Sequence, residues 1–294
     1  EPPAGGDLQR SPAAALVPTA KRASRSALFR GVGFAMAGVM IYLVLSRELD
    51  SRHQRSNEAV MLNNLGQSAF LADSLERAQV LFTMALDRSP DFAAARINLG
   101  QLYRRRGLPD SAALMFDRVL KRSGRDAASA ALASYGLAQI DIQSGALDGA
   151  ATHLERSLAL DSTRVEYYND LGWTLANSLS RSADAQHVLE LGLARFPDSP
   201  PLKKNLALTI GRRGETERAL ALLDEVTRSA PTYASAWGLK AVFSGRAGDH
   251  EAERRDWTAY VSLSPDTTER AQYERERALS AAAPAHTSPP PATH

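Results

Sequence analysis

Histidine, aspartate and glutamate are the side chains that most often carry acid–base or metal chemistry, and in this chain they do not converge on a motif. His187 and His250 stand alone. The acidic residues are plentiful along predicted helices, and no carboxylate pair stands out. There is no G-K-[ST] phosphate loop and no H-E-x-x-H zinc pattern. Gly31-Val32-Gly33 resembles a dinucleotide loop only superficially, because it sits inside an apolar run with no strand before it. Cysteine is absent, which excludes disulfides and thiolate metal sites. We therefore expect no catalytic residue, no metal site and no cofactor, and do not expect an enzyme. The chain carries 35 basic and 33 acidic side chains, so it offers no broad basic footprint and nucleic acid is not an expected partner. Thirty of the basic residues are Arg and five are Lys, and Ala is abundant, a composition associated with GC-rich bacterial genomes. Arg104-Arg105-Arg106 and Arg212-Arg213 fall at the ends of predicted helices, where cations complement the helix dipole.

The elements that must position any site follow from a repeat. Leu62, Leu65-Gly66, Ala78, Phe82, Ala85-Leu86 and Pro90 form a frame that returns 34 residues later. There it reads Leu99-Gly100, Tyr103, Gly107, Ala112, Phe116 and Leu120. Small and large residues in fixed slots at that period indicate stacked helical hairpins. A third copy has Leu137-Ala138, Gly145, Ala150, Leu154 and Leu158, after an insertion of about four residues near Arg125–Ala130. The fourth has Tyr168, Leu171-Gly172, Ala185, Leu189, Leu193 and Pro197, with an extra residue around Leu179–Ser182. The fifth has Leu206-Ala207, Gly214, Ala219, Leu223 and Pro231. The sixth has Trp237, Ala241, Gly248, Trp257 and Pro265, but Glu253 takes its small slot, which suggests a cap. Gly66 costs roughly 1 kcal/mol in a helix relative to Ala, so its return as Gly or Ala predicts a close approach by another helix.

This pattern resembles the tetratricopeptide repeat (TPR). The resemblance implies an all-α fold: a right-handed solenoid of five to six hairpins over residues 58–267. It also implies that the first helix of each hairpin lines a concave groove for a protein or peptide segment. Carried over slot by slot, the groove residues are Asn63, Asn64 and Gln67 in the first hairpin. The second supplies Asn98, Gln101, Arg104 and Arg105, and the third Tyr135, Gln139 and Gln143. The fourth supplies Asn169, Asp170, Trp173 and Asn177, and the fifth Lys204, Asn205 and Arg212. Asn64, Asn98 and Asn205 share one slot, with Asp170 there in a fourth hairpin. Amides both donate and accept, so such a ladder could pair with a partner's backbone, although a water-facing helix is polar in any case. The carboxylate clamp of chaperone-binding members is not matched. Asn63, Gln67 and Asn98 fit its early slots, but Leu132 and Gly136 fill its last, where the clamp needs cations.

Before the repeats, residues 1–20 are rich in Pro, Ala and Gly and are expected to be disordered. Lys21, Arg22, Arg25 and Arg30 precede Gly31–Leu45, which carries no charge. With Ala27–Phe29 included and Arg30 snorkelling, residues 27–45 are long enough to cross a bilayer as one helix. A cleaved signal lacks its A-x-A-like site here, and a buried soluble helix is the plain alternative. Gly31, Ala35 and Gly38 would share one face and let another membrane helix approach. Residues 21–46 are thus read as basic flank and span, 47–57 as a short link, 268–282 as a capping helix and 283–294 as a disordered tail. The whole resembles membrane-anchored TPR proteins of bacterial envelopes. That implies a non-catalytic scaffold in a multi-protein membrane complex such as a bioenergetic, cytochrome-maturation or secretion assembly. Its partners would be other membrane-protein subunits and the lipid bilayer through residues 27–45. The alternative is a peptide-binding receptor or co-chaperone with transient clients. The amino-side flank is slightly the more basic, which favours a cytoplasmic N-terminus and a periplasmic repeat domain at the inner membrane.

Overall fold

A computed structural model describes residues 25–122, 126–177, 181–264, 271, 274 and 275, with the side chains of 25–35 and 37 outside that description. The segments expected to be disordered, 1–20 and 283–294, lie outside the described residues, as does nearly all of the expected capping helix at 268–282. The chain divides into two compact parts, residues 1–58 and 59–294. All regular structure among the described residues is helical.

The first part belongs to α1 (Arg25–Leu71). Residues 47–57, expected to be a link, are helical. No helix among the described residues is long and apolar enough to cross a membrane. The described stretch of the apolar run, Met36–Leu45, is about 15 Å of helix. It is followed by Arg47, Glu48 and Asp50. Met36 and Val39–Leu45 each keep more than half of their surface exposed. The rest of the expected span, with Gly31 and Ala35, lies outside the described side chains. At Gly38 an added Cβ would meet nothing within 4 Å among the described residues, so no described element packs there.

The second part begins with the last turns of α1 and continues through α2 (Leu75–Arg88), α3 (Ala93–Arg105), α4 (Pro109–Arg122), α5 (Ala127–Ser144) and α6 (Leu147–Leu160). It goes on through α7 (Val165–Ala176), α8 (Ser182–Arg195), α9 (Pro200–Arg212), α10 (Thr216–Ser229), α11 (Ala234–Arg246) and α12 (His250–Leu263). These make six helical hairpins; first helices of successive hairpins pack at α3–α5, α7–α9 and α9–α11, and side-chain hydrogen bonds join α1 to α3 and α5 to α7. Within a hairpin the connection is tight. Gly107, Gly145, Gly214 and Gly248 take positive φ there, and Asp73 does so in the first hairpin at φ 59°.

The recurrent small slots hold rings and branched side chains against helix backbones. A Cβ on Gly100 would lie 2.7 Å from the Phe116 ring, and one on Gly172 would lie 2.4 Å from Leu189. The close approach expected at this slot is real, and it is made by a large side chain of the second helix. Ala78, Ala112, Ala150, Ala185 and Ala219 are fully buried on the opposing helices. The insertion near Arg125–Ala130 becomes extra helix: α5 has 18 residues where α3 has 13. Asp126 caps it by accepting from the Ser129 amide at 3.0 Å. Of the stretch Leu179–Ser182, where the extra residue of the fourth hairpin is expected, residues 179 and 180 lie outside the described residues, and Arg181 and Ser182 stand at the start of α8. The sixth hairpin is complete. Glu253, in its small slot, lays its carboxylate over Gly245, and Phe243, Asp256 and Tyr260 are buried. The largest core cluster runs from Tyr168 through Leu206, Leu223 and Phe243 to Tyr260.

Candidate partner-binding face

The first helices are joined by a polar contact that repeats between hairpins. Asn98 on α3 donates through Nδ2 to Asn63 Oδ1 on α1 at 2.9 Å. Tyr135 on α5 donates to Asp170 on α7 at 2.7 Å. Asn205 on α9 donates through Nδ2 to Asn169 Oδ1 on α7 at 2.9 Å. Asn169 in turn donates to the other oxygen of Asp170 at 3.0 Å. Between α3 and α5 the same position holds buried Ile97 and Gly136 instead. The amides expected to form a uniform ladder are therefore not equivalent: Asn64 is exposed, Asn98 is half-buried, and Asn205 is buried at 3% exposure.

Two of the basic residues expected at first-helix ends, Arg105 and Arg212, meet helix-end carbonyls, but across hairpins, whereas Arg106 and Arg213 reach Glu76, Gln79 and Gln186 on second helices. Arg105 donates to the Phe70 carbonyl at 3.3 Å and pairs with Asp73 at 2.9 Å. Arg212 reaches the Ala176 carbonyl and Asn177 Oδ1, both at 3.4 Å, and Arg246 reaches the Gly211 carbonyl at 2.7 Å. Arg105, Arg212 and Arg246 thus each meet the carbonyl end of the preceding first helix. Asn177 donates to the Trp173 carbonyl in the same helix at 2.7 Å. Gln101 accepts from Arg104 Nε at 3.0 Å, and Gln67 is exposed.

One open depression of about 390 Å³ lies over α5, α7 and α9. It gathers Arg104, Gln139, Gln143, Asn169, Asp170, Trp173, Lys204 and Asn205 from the expected groove residues. Asn63, Asn64, Gln67, Asn98, Gln101, Arg105, Tyr135, Asn177 and Arg212 are not in its wall. Ile142, Pro201 and Tyr233 complete the lining and were not anticipated. Ile142 adjoins Gln143 on α5, while Pro201 and Tyr233 mark the starts of α9 and α11. Only the prolines at a helix start carried a sequence signal, and that signal concerned helix initiation. Burial, then the Asp170 carboxylate, push the Tyr135 hydroxyl above the usual phenol range, while a hydrogen bond from the Gln139 amide works the other way. Burial also lowers the Arg104 pKa, yet a guanidinium stays charged. The depression is therefore lined by amide side chains, two cations, the Asp170 carboxylate, and Trp173 and Tyr233 as aromatic surface.

Family models described as tetratricopeptide repeat match residues 69–134, and residues 109–165 with 205–266. The chain carries tetratricopeptide repeats. Solved TPR-like structures agree. One is from a functional characterisation of Pseudomonas aeruginosa pilF, at TM-score 0.63 and 17% identity, covering 76% of this chain and 99% of that one. Another is PilW, described as a widely conserved type IV pilus biogenesis factor, at 0.63 and 17%, covering 73% and 97%. A third is the Cut9–Hcn1 hetero-tetramer of APC/C, at 0.62 and 17%, covering 80% of this chain and 45% of that one. At such identities the likeness is one of fold. No curated protein matches in sequence. TPR arrays mediate protein–protein interaction.

Proposed function

We propose that this TPR protein is a non-catalytic scaffold that holds a partner protein on its first-helix face, as a structural or assembly subunit of a multi-protein membrane complex. The observation that supports this is the depression over three successive hairpins, where polar and aromatic side chains converge. A ligand site typically combines such a concavity with a few convergent polar groups. The exposed apolar run from Met36 to Leu45 supports attachment to a membrane through residues 27–45, and the slightly more basic amino-side flank supports placing the repeats on the periplasmic side.

Three measurements test this reading. Partners co-purifying in mild detergent at fixed stoichiometry should be released by Trp173→Ala with Lys204→Ala in a chain that still folds. Unchanged partner occupancy would remove the depression from the reading and leave the rest of the repeat surface. Deleting residues 27–45 should move the protein out of the alkali-resistant membrane fraction, and an unchanged distribution overturns the anchor. Because the chain has no cysteine, Ala128→Cys reports topology cleanly: an impermeant thiol reagent should reach it in spheroplasts, and protection until lysis reverses the orientation. Salt-sensitive, transient binding of clients without fixed stoichiometry would favour the receptor alternative.

A further inference from the structure

The first hairpin exposes a face that the later hairpins bury. Met61 and Leu65 on α1 are 56% and 48% exposed. In the slot of Leu65, the later first helices carry Leu99, Leu137, Leu171 and Leu206, all at 1–9% exposure. In the slot of Met61 even the large residues, Tyr167 and Leu202, keep no exposed surface. What covers these slots is the preceding hairpin. Leu99 packs with Ala78 and Phe82, and Ala95, in the Met61 slot, with Leu62 and Ala85. No hairpin precedes α1 among the described residues.

A second copy of the chain has two ways to meet this leading face. Head-to-tail stacking needs the trailing face of the sixth hairpin. There the slots of Leu81 and Ala85 hold Asp256 and Tyr260, both at 0% exposure, so that face is already covered and carries a carboxylate. The leading face is left to meet itself, about a two-fold axis. A two-fold sets like against like, so any charge on the face would repel its own copy. Met61, Asn64, Leu65, Ser68 and Ala72, which share one side of α1 at helical spacing, carry none. The sizes match as well. In an antiparallel crossing centred between Asn64 and Leu65, each Met61 falls opposite Ser68 of the other copy, large against small. The unbranched thioether of Met61 adapts to such a gap.

We propose that two copies of this chain pair through the leading face of the first hairpin, α1 against α1 about a two-fold axis, as a closed dimer. One helix against one helix is a small interface, so the pairing is reversible, and tethering both copies in one membrane strengthens it. None of these residues lines the depression over α5, α7 and α9, so the dimer is independent of the proposed partner binding.

The tests use the full chain in mild detergent. Its dimer fraction, read by sedimentation, should rise with concentration. Leu65→Glu and Leu65→Lys should each be monomeric, because the axis sets like charges together, and should regain the dimer when mixed. Residue 65 faces water in the single chain, so circular dichroism should match the parent. Because the chain has no cysteine, Leu65→Cys with a short bifunctional thiol reagent should yield a linked dimer, and the exposed Ala128→Cys should not. If the charge variants misfold, the cross-link still decides. A parent chain that is monomeric at every concentration overturns the proposal. So does a Leu65→Glu chain that still dimerises, or a Glu and Lys mixture that does not. A Leu65→Cys thiol shielded from reagent in a monomeric chain overturns it as well, since another protein or a further part of this chain then covers the face.

Discussion

Phe116 shows how single residues set the tolerances of this fold. Its ring is fully buried between two glycines on successive first helices: a Cβ on Gly100 would lie 2.7 Å away and one on Gly136 2.4 Å. Gly136→Ala should therefore cost about 1–3 kcal/mol despite the better helix propensity of Ala. Phe116→Leu in that background should recover part of the loss, and urea titrations of the single and double variants measure the coupling. The glycine slot was legible in the sequence, since Gly66 and Gly100 share a phase. The pinch from Gly136 was not, because it depends on how far one hairpin is rotated on the next. Tyr167 poses a different question. Its hydroxyl is buried without a hydrogen-bond partner among the described residues, and burial pushes its pKa up to about 12. A phenol raised in the fold contributes stability that is complete below its unfolded value of about 10 and is lost as pH rises through the folded value. Stability should fall between about pH 10 and 12, and the fall should be shallower in Tyr167→Phe, which should be no less stable at neutral pH. Thermal melts across that range check both statements.

At the scale of helices, the contacts between first helices carry information that the repeat frame did not. Asn63, Asn98, Asn169 and Asn205 were legible as polar residues on inward-facing slots. That they pair with each other was not, since the pairing needs the offset of one hairpin against the next. Arg246 makes the same point. It closes the carbonyl end of α9 from α11, at Gly211. Arg246→Met keeps the apolar stem and removes the donor, and should cost about 1–3 kcal/mol, read from chemical denaturation. Asp126 is the local counterpart. Its side chain caps α5, so Asp126→Ala should cost about 1 kcal/mol by the same measurement. The insertion before Ala130 was visible as a break in phase, yet whether it would form a loop or lengthen a helix turned on that one cap.

Across the whole repeat array, stability should follow the distribution of the core. The cluster from Tyr168 to Tyr260 spans the last three hairpins, while the earlier ones hold smaller, separate clusters. Amide exchange should be slowest in α9 and α11 and faster in α2 and α3, rather than slowest at the midpoint, as equal hairpins would give. The number of hairpins was legible because each returns the same slots; their unequal weight was not, because it depends on which large side chains meet across joints. The joint between α3 and α5 lacks the amide or phenol–carboxylate contact of α1–α3, α5–α7 and α7–α9: its facing positions hold buried Ile97 and Gly136, with the Phe116 ring packed against Gly136. Apolar packing has no preferred direction, so it allows sliding that a hydrogen bond between fixed partners resists. The inserted turn lies beside that same joint. The array therefore has a built-in seam: a covalent cut after Arg122 should yield two pieces that recombine when mixed, whereas a cut between α6 and α7 would sever the joint that Tyr135 and Asp170 hold in register.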